Sequence, residues 1–369
     1  MRRRWLRRAA FALLALLILL ALPALYVHGW CRGGTGAETA PAAALPPAIS
    51  EGLRAAAGYR RAEARTFLTY PEWYIVFTSQ DYAGYIARKR PSGFRYFASA
   101  FAFWTSYCDI NRYVTPRYAF NSEIHIVNYV IGVSHSVELI VKGLYETIIG
   151  RLSELFAPNV PTAEERFAQA VFADYGNFLR TTPWYEYPFA RRREELALVD
   201  TAGPGQVRKW ERRIALWTEL AVKSVYAGMI RGGTQSAFEA PVLTTVAVVR
   251  DLPPARLAAA KEIESLARAD RLSVLAFPRY APFADLVREL ADSSAAFAEI
   301  AGNDEILVTA IMDRPDAALP AGMQAIFRTD LLSGAAGSRV GMVVPVAELM
   351  RVIRDLRKTG GRVEHIYDY

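Results

Sequence analysis

Five polar or titratable residues interrupt a long apolar segment of the sequence, and their spacing could bring them together in one site. The segment "EIHIVNYVIGVSHSVELIVKGLYE" carries Asn128, His135, Glu138, Lys142 and Tyr145. At 100° per residue on a helix, Asn128 and Lys142 lie within about 20° of His135, and Glu138 lies about 60° away. A histidine beside a carboxylate can carry a proton or bind a ligand, because the carboxylate influences its charge. We therefore predict a narrow polar stripe and take these five residues as the candidate ligand-binding residues.

Two other interpretations of the same stripe are open. Glu138 and Lys142 stand four residues apart in the order that favours an ion pair within a helix, which would contribute only about 0.2 to 0.5 kcal/mol on an exposed face. Alternatively, residues 124–149 are long enough to cross a bilayer. Each charge near the bilayer centre would then cost about 2.5 to 3.5 kcal/mol. That cost argues against a span unless the stripe faces other helices.

A second segment of the chain resembles the centre of the stripe. "ELIVKGLY" at residues 138–145 and "ELAVKSVY" at residues 219–226 share their Glu, Leu, Val, Lys and Tyr. Two such helices could face each other with paired Glu and Lys side chains, although the second copy has no counterpart of His135. The match does not recur at a fixed period, so it does not indicate a repeat protein.

The sequence lacks the patterns that are diagnostic of metal, nucleotide or hydrolase chemistry. None of the four histidines follows a glutamate by three residues, which di-iron helix bundles require. No Gly-x-Gly-x-x-Gly, P-loop or serine elbow occurs. Cys31 and Cys108 could form one bridge at most, and their spacing is not that of a zinc or redox site. We therefore predict no cofactor and no metal.

Long helices are expected to position the stripe. Thr69 with Glu72 and Thr162 with Glu165 have the spacing of capping boxes at helix starts. Residues 67–120 contain seventeen Phe, Trp and Tyr in fifty-four positions. Such a density indicates an aromatic core, with a membrane interface or an apolar pocket as alternatives. We predict an all-helical, aromatic-rich, membrane-proximal domain over residues 66–232.

Short alternating elements replace the long helices in the last third of the chain. The helical patterns there cover residues 253–268, 283–300 and 346–358. The strand patterns cover residues 241–249, 272–277, 305–312, 324–329, 339–345 and 362–368. This order is typical of a sheet with helices packed on it. We predict a ferredoxin-like or related α/β sandwich domain over residues 241–369, which makes the fold class α+β.

The N-terminal residues have the composition of a transmembrane anchor. Residues 9–27 form a run of nineteen positions without a charged side chain, and about twenty such residues cross a hydrocarbon core. The basic start places the N-terminus in the cytoplasm. A cleaved signal peptide shares that start, but this run is longer than usual and no A-x-A site follows it. We predict a cytoplasmic tip and anchor over residues 1–30 and a flexible Gly/Ala/Pro tether over residues 31–65.

The charge balance makes a nucleic-acid partner unnecessary. The net charge is +7, and five of these charges are the arginines of the N-terminal tip, so the remainder is close to neutral. We expect a single-pass protein of a bacterial inner membrane with most of its chain in the periplasm. It should touch the lipid surface, have no enzymatic activity, and bind an apolar ligand or a partner membrane protein. The alternatives are a membrane-tethered enzyme or cofactor-binding protein that uses the stripe around His135, and a polytopic subunit with spans at 124–149 and 214–230.

Overall fold

The computed structural model describes residues 21–33, 45–56, 66–237 and 243–368. Over these ranges a part built from long helices precedes a part built on two β-sheets. The α+β class predicted from the sequence is therefore confirmed.

The predicted anchor, residues 9–27, lies mostly outside the described residues. Residues 21–25 are helical, and Tyr26–Trp30 forms a π-helical turn. The carbonyl of Val27 accepts a hydrogen bond from Nδ2 of Asn111 at 3.1 Å. Cys31 and Cys108 form a disulfide, which is the single bridge that the sequence allows. The end of the N-terminal segment is thus fixed to the helical part.

Seven helices lie between residue 45 and the sheets in the described ranges, in addition to the helical residues 21–25. In chain order they are α1 Pro47–Ala55, α2 Tyr70–Ile86, α3 Tyr96–Val114, α4 Ser122–Tyr145, α5 Ala163–Phe178, α6 Phe189–Ala197 and α7 Gln206–Ala237. A π-helical turn, Glu146–Gly150, and a last turn, Arg151–Glu154, extend α4 without a break.

Local sequence explains where these helices begin. Thr162 and Glu165 form the predicted capping box at the start of α5, with reciprocal bonds of 3.2 and 2.9 Å. Pro71 lies in the first turn of α2, where a backbone N–H would have no acceptor within the helix, so the lack of an N–H in proline costs nothing. The side chain of Asn121 accepts from the backbone N–H of Glu123 at 3.0 Å and so caps α4.

The first helix, α1, lies within the segment predicted to be a flexible tether. Ile49 and Leu53 are one turn apart and both are buried. They pack against Val246, Val248 and Val274 on the outer face of the first sheet. Residues 47–55 are therefore an ordered element, because two apolar side chains on one face are enough to bind this short helix to the sheet.

The C-terminal part contains two four-stranded antiparallel sheets. The first has the order β2-β3-β1-β4 and consists of β1 Thr244–Arg250, β2 Glu264–Ala269, β3 Leu272–Pro278 and β4 Ala296–Ile300. The second has the order β6-β7-β5-β8 and consists of β5 Glu305–Met312, β6 Gln324–Asp330, β7 Ser338–Pro345 and β8 Gly361–Ile366. Between the strands lie α8 Pro254–Ala259, α9 Ala281–Leu290 and α10 Leu349–Lys358. The two sheets therefore share one strand order.

Two helices predicted in this part were too long. The predicted helix 253–268 ends at Ala259, and β2 follows it. The predicted helix 283–300 ends at Leu290, and β4 follows it. Strand β2 is held by a two-residue turn at Asp270 and Arg271, and Asp270 has a φ of 50°. The prediction missed this hairpin because the turn has neither the Asn-Gly nor the Asp-Gly signature.

The helical part packs on one face of the second sheet. Arg339 of β7 binds both oxygens of Glu364 on β8, at 2.7 and 2.8 Å. Its Nη1 reaches Asp81 of α2 at 3.3 Å. The ring of His365 stacks on Trp73 of α2, with 3.4 Å between centroids. Charge pairing and ring stacking thus fix the sheet against α2.

The aromatic residues between 67 and 120 mostly form a core. Eleven of the seventeen are buried, so the core interpretation of their density holds for the majority. Phe97, Phe101 and Phe120 are exceptions, with exposed fractions of 48%, 69% and 67%. These three rings lie on α3 and on the approach to α4, next to the helix that carries the polar stripe.

Candidate functional site

The polar stripe of α4 faces α7, which runs antiparallel to it. Three ion pairs join the two helices, with N–O distances of 2.7, 2.9 and 2.7 Å, and we call them the charge ladder: Glu138–Lys223, Lys142–Glu219 and Glu146–Arg212. Residue numbers rise along α4 and fall along α7. The pairs follow one another at intervals of four residues on α4, and of four and then seven residues on α7, which is about one turn and about two turns. The ladder contains three acidic and three basic side chains and is neutral as a whole.

The resemblance between the two sequence segments is explained by the ladder. Glu138 of the first copy pairs with Lys223 of the second, and Lys142 of the first pairs with Glu219 of the second. The predicted facing of duplicated Glu and Lys groups is therefore confirmed for these four residues. Glu138 and Lys142 each bind across to α7, so the interpretation of an isolated i,i+4 pair within α4 is replaced by two interhelical pairs.

Aromatic rings surround the two lysines of the ladder. The ammonium of Lys142 lies 4.1 Å from the ring centroid of Tyr82 and 4.3 Å from that of Phe172. The ammonium of Lys223 lies 5.2 Å from the ring centroid of Tyr175. Cation–π attraction therefore adds to the carboxylate pairing and keeps both lysines charged in an apolar setting.

The charged forms of Glu138, Lys142 and Lys223 are favoured at neutral pH. Partial burial would raise the pKa of Glu138, whose side chain is 44% exposed, but Lys223 and His135 outweigh it and lower that pKa to about 2. Burial alone would lower the pKa of Lys142 and of Lys223, but their glutamate partners outweigh it and raise both. Glu138, Lys142 and Lys223 are therefore charged over the physiological range. Glu146 differs, because burial raises its pKa in spite of the opposing Arg212.

The π-helical turn that follows α4 places Glu146 against α7. A Cβ on Gly150 would lie 2.3 Å from Oε2 of Glu146, so only glycine leaves room for that carboxylate. Tyr145 donates its hydroxyl to Glu211 of α7 at 2.8 Å. Arg208, which is fully buried, binds the other oxygen of Glu211 at 3.0 Å. This end of the helix pair is a buried network of charge-assisted hydrogen bonds.

His135 lies on the same side of α4, one turn before Glu138. Its side chain is buried, and its ring lies edge-on to Tyr74 at 6.0 Å. Burial lowers the pKa of His135 to about 4, although the nearby Glu138 opposes the shift, so the ring is neutral at pH 7. Among the described residues, its Nε2 has no hydrogen-bond partner.

The five candidate residues share one side of α4, but each makes contacts of its own. The side-chain amide of Asn128 donates to the carbonyl of Leu68 at 2.9 Å. His135 packs among aromatic rings, Glu138 and Lys142 pair with α7, and Tyr145 bonds to Glu211. Their joint use as a ligand site stays a prediction. The sequence alone did not identify Arg212 and Glu211, because no periodic signal links their segment to residues 145–146.

A large groove lies beside the ladder. Its volume is about 1700 Å³, and α4 and α7 form its two walls. The wall residues are mostly aliphatic, and they include Val130, Val137, Ile214 and Val222. Tyr82, Phe172 and Tyr175 contribute to its floor, beneath the ladder. An elongated apolar molecule would fit such a space, while the neutral ladder and His135 offer polar contacts.

No group of three or more His, Cys, Asp or Glu residues within the described ranges has the geometry to hold a metal ion. By length and composition, one helix of those ranges could cross a membrane, namely the continuous helix Ser122–Glu154.

Comparisons of the chain with protein-family models, with curated proteins and with solved structures give no match.

Proposed function

We propose that the chain is a single-pass membrane protein of a bacterial inner membrane whose helical part binds an apolar or amphipathic ligand in the groove between α4 and α7. The observation that carries the proposal is the groove itself, which is about 1700 Å³ in volume and has aliphatic walls and an aromatic floor. Sites for small apolar molecules are typically smaller, about 300 to 1,000 Å³. The groove therefore favours a long-chain ligand such as a lipid.

Two observations support a location at the outer face of the membrane. The cluster of arginines before residues 9–27 retains the N-terminus in the cytoplasm by the positive-inside rule. The Cys31–Cys108 disulfide follows directly on the C-terminal side of that segment. Disulfides form and persist in oxidising compartments such as the periplasm. Both observations favour a periplasmic helical part held close to the lipid surface.

The neutral ladder explains how a groove with six charged groups can accept an apolar chain. Each charge already has a partner at 2.9 Å or less. The ligand therefore needs no charged group to pair with the ladder, and burial of apolar surface drives the binding. The proposed protein is a binding protein, and catalysis is not required of the ladder.

A photoreactive lipid tests the proposal. The full chain is reconstituted in nanodiscs with a long-chain diazirine fatty acid, irradiated and digested, and the labelled peptides are identified by mass spectrometry. We expect label on Phe172 and Tyr175, because they lie on the floor of the groove. Labelling of the outer faces of α4 and α7 alone would not count as support.

A variant that fills the groove sharpens this test. Thr218 lines the groove and is exposed, so Thr218→Trp places an indole at the mouth of the groove, where it obstructs entry to the floor. The matched control is Ala173→Trp, which adds the same ring at an exposed position of α5 outside the groove. Floor labelling should disappear in Thr218→Trp and persist in Ala173→Trp. If the floor is unlabelled in the unmodified chain, or equally labelled in both variants, the proposed ligand site is wrong.

For the sheet part we propose a ferredoxin-like fold. The order β1-α8-β2-β3-α9-β4 is the β-α-β-β-α-β succession of that fold. The second sheet repeats the strand order of the first. It departs in one respect, since residues 313–323, all described, contain no helix between β5 and β6. We infer two related units in tandem.

A further inference from the structure

The outer face of α4 is an exposed aliphatic stripe. Its residues lie within about 40° of one direction on the helix, and their exposed fractions run from 51% to 62%: Val130, Val137, Val141, Leu144 and Ile148. Over the described residues 126–149, Glu138 is the one charged side chain that is exposed, and it belongs to the ladder. A water-facing helix would instead carry charges on this side.

The outer face of α7 has the same character. Over the described residues 207–229, every charged side chain points inward or is partly covered, and none is exposed. The exposed side chains are Val207, Trp210, Ile214, Trp217, Thr218, Val222, Val225 and Met229. Arg213 lies over the ring of Trp210 at 5.7 Å, and Arg193 lies over Trp217 at 5.4 Å. Tryptophan is enriched at membrane–water interfaces, and a cation over the ring face is attracted to it.

The two outer faces point to the same side of the molecule. Val130 and Val137 of α4 and Ile214 and Val222 of α7 all line the groove that lies between the helices. The exposed apolar stripes therefore flank the mouth of the groove. An apolar surface on this scale exceeds the scattered exposed residues of an ordinary soluble protein.

The side of the helical part that faces away from the apolar stripes is polar, and helix α5 lies on that side. Helix α5 runs alongside α7, because Glu164 pairs with Arg213 and Glu165 pairs with Arg208. The exposed residues of α5 are Arg166, Ala170, Ala173, Asp174 and Asn177. If α4 and α7 crossed the bilayer, α5 would lie beside them in the hydrocarbon with Arg166, Asp174 and Asn177 facing lipid, at a cost of several kcal/mol.

We propose that α4 and α7 lie flat in the outer lipid–water interface, as an in-plane docking surface whose occupant is the bilayer itself. Continuity with the N-terminal segment favours lipid over another protein as the occupant. His28, directly after the predicted anchor, contacts His125 at the start of α4 with 4.7 Å between ring centroids. Helix α4 therefore begins where the predicted anchor leaves the membrane. In-plane helices of this kind bury their apolar face about 5 to 10 Å deep.

This geometry gives the groove an entrance from the membrane. Because the aliphatic stripes flank its mouth, docking turns the mouth toward the acyl chains, and a lipid can enter without crossing water. The inference rests on the proposed attachment to a membrane, and it does not require that the groove hold a ligand.

Spin labels along α4 test the orientation. Single cysteines replace Val130, Val137 and Ile148 in the full chain, whose two native cysteines are bonded to each other. Val225→Cys samples α7, and Ala173→Cys on α5 is the control on the polar side. Nitroxide-labelled protein is placed in phosphatidylethanolamine–phosphatidylglycerol nanodiscs, and collisions with oxygen and with a water-soluble nickel chelate are measured by EPR.

We expect the three α4 labels and the α7 label to collide with oxygen and not with nickel, at one common depth. The control label should collide with nickel. A spanning helix would instead give depths that differ by up to about 27 Å between residues 130 and 148, at 1.5 Å per residue. That gradient overturns the proposal, as does nickel access at all positions. Low access to both reagents would indicate burial against protein and would also overturn it. The photolabelling of the groove floor is independent of these outcomes.

Discussion

Breaking the Lys142–Glu219 pair should destabilise the helical part more than breaking an exposed pair does. The side chains of Lys142 and Glu219 are only 15% and 19% exposed. Lys142→Met keeps the length of the side chain but removes the ammonium, which leaves Glu219 beside the groove without its ion-pair partner. Breaking a buried pair typically costs about 3 to 5 kcal/mol. Because this groove is open on one side, we expect Lys142→Met to lower the free energy of unfolding by a smaller amount, about 2 to 3 kcal/mol.

A double-mutant cycle separates the pairing from the loss of packing. Glu219→Leu removes the other partner, and the double variant replaces the pair by two apolar side chains. We expect the double variant to be close to the unmodified chain, since an apolar pair of similar volume is often as stable as a buried ion pair. The exposed pair Arg95–Asp330, with side chains 56% and 67% exposed, provides the control cycle. Its coupling should be below about 1 kcal/mol.

The measurement is thermal unfolding in mild detergent, followed by tryptophan fluorescence. At about 2 to 4 °C per kcal/mol, the expected loss for Lys142→Met is roughly 5 to 10 °C. If Lys142→Met lowers the melting temperature no more than Arg95→Ala does, the ladder does not hold α4 to α7. If the loss in the double variant equals the sum of the losses in the two single variants, the pairing energy is nil and the reasoning is refuted.

Two further predictions concern the bridge and the histidine. Replacing Cys31 and Cys108 by serine opens a loop with a sequence separation of 77 residues and should lower the free energy of unfolding by about 2 to 4 kcal/mol. The variant should have a lower melting temperature, and a reductant should no longer change that temperature. An unchanged melting temperature in the variant would contradict it. Burial lowers the pKa of His135 to about 4, so below about pH 6.5 the unfolded chain binds more protons than the folded chain does. The free energy of unfolding should therefore fall by about 3 kcal/mol as the pH drops from about 6.5 to about 4. His135→Phe should reduce the slope of that part of the pH profile, and the slope that remains belongs in part to His125, whose pKa burial also lowers to about 4. An unchanged slope would exclude His135 as a cause.

The sequence identified the elements whose signals are local. The reciprocal bonds of Thr162 and Glu165 need only residues three apart, so the start of α5 was predictable. The facing Glu and Lys groups were predictable from the segments at 138–145 and 219–226, because both helices carry the same pattern. Such patterns survive in a single sequence since they arise from helical periodicity.

The parts that the sequence missed depend on contacts between distant segments. Strand β2 is largely exposed and gains its identity from pairing with β3, so its own residues resemble the end of a helix. Helix α1 is ordered by the face of a sheet that begins about 190 residues later. The groove is a space between helices, and no property of α4 alone reveals the rings of Tyr82 and Phe172 across it. Tertiary packing therefore outweighed local propensity in each case.

The Cys31–Cys108 bond gives the N-terminal segment a second covalent attachment to the helical part. A protease that cuts the main chain once between these cysteines leaves the two fragments joined through sulfur. Shedding of the body from its membrane segment by such a cut would then require a reducing agent as well as a protease. The same nicked protein would migrate as one band without thiol and as two bands with it.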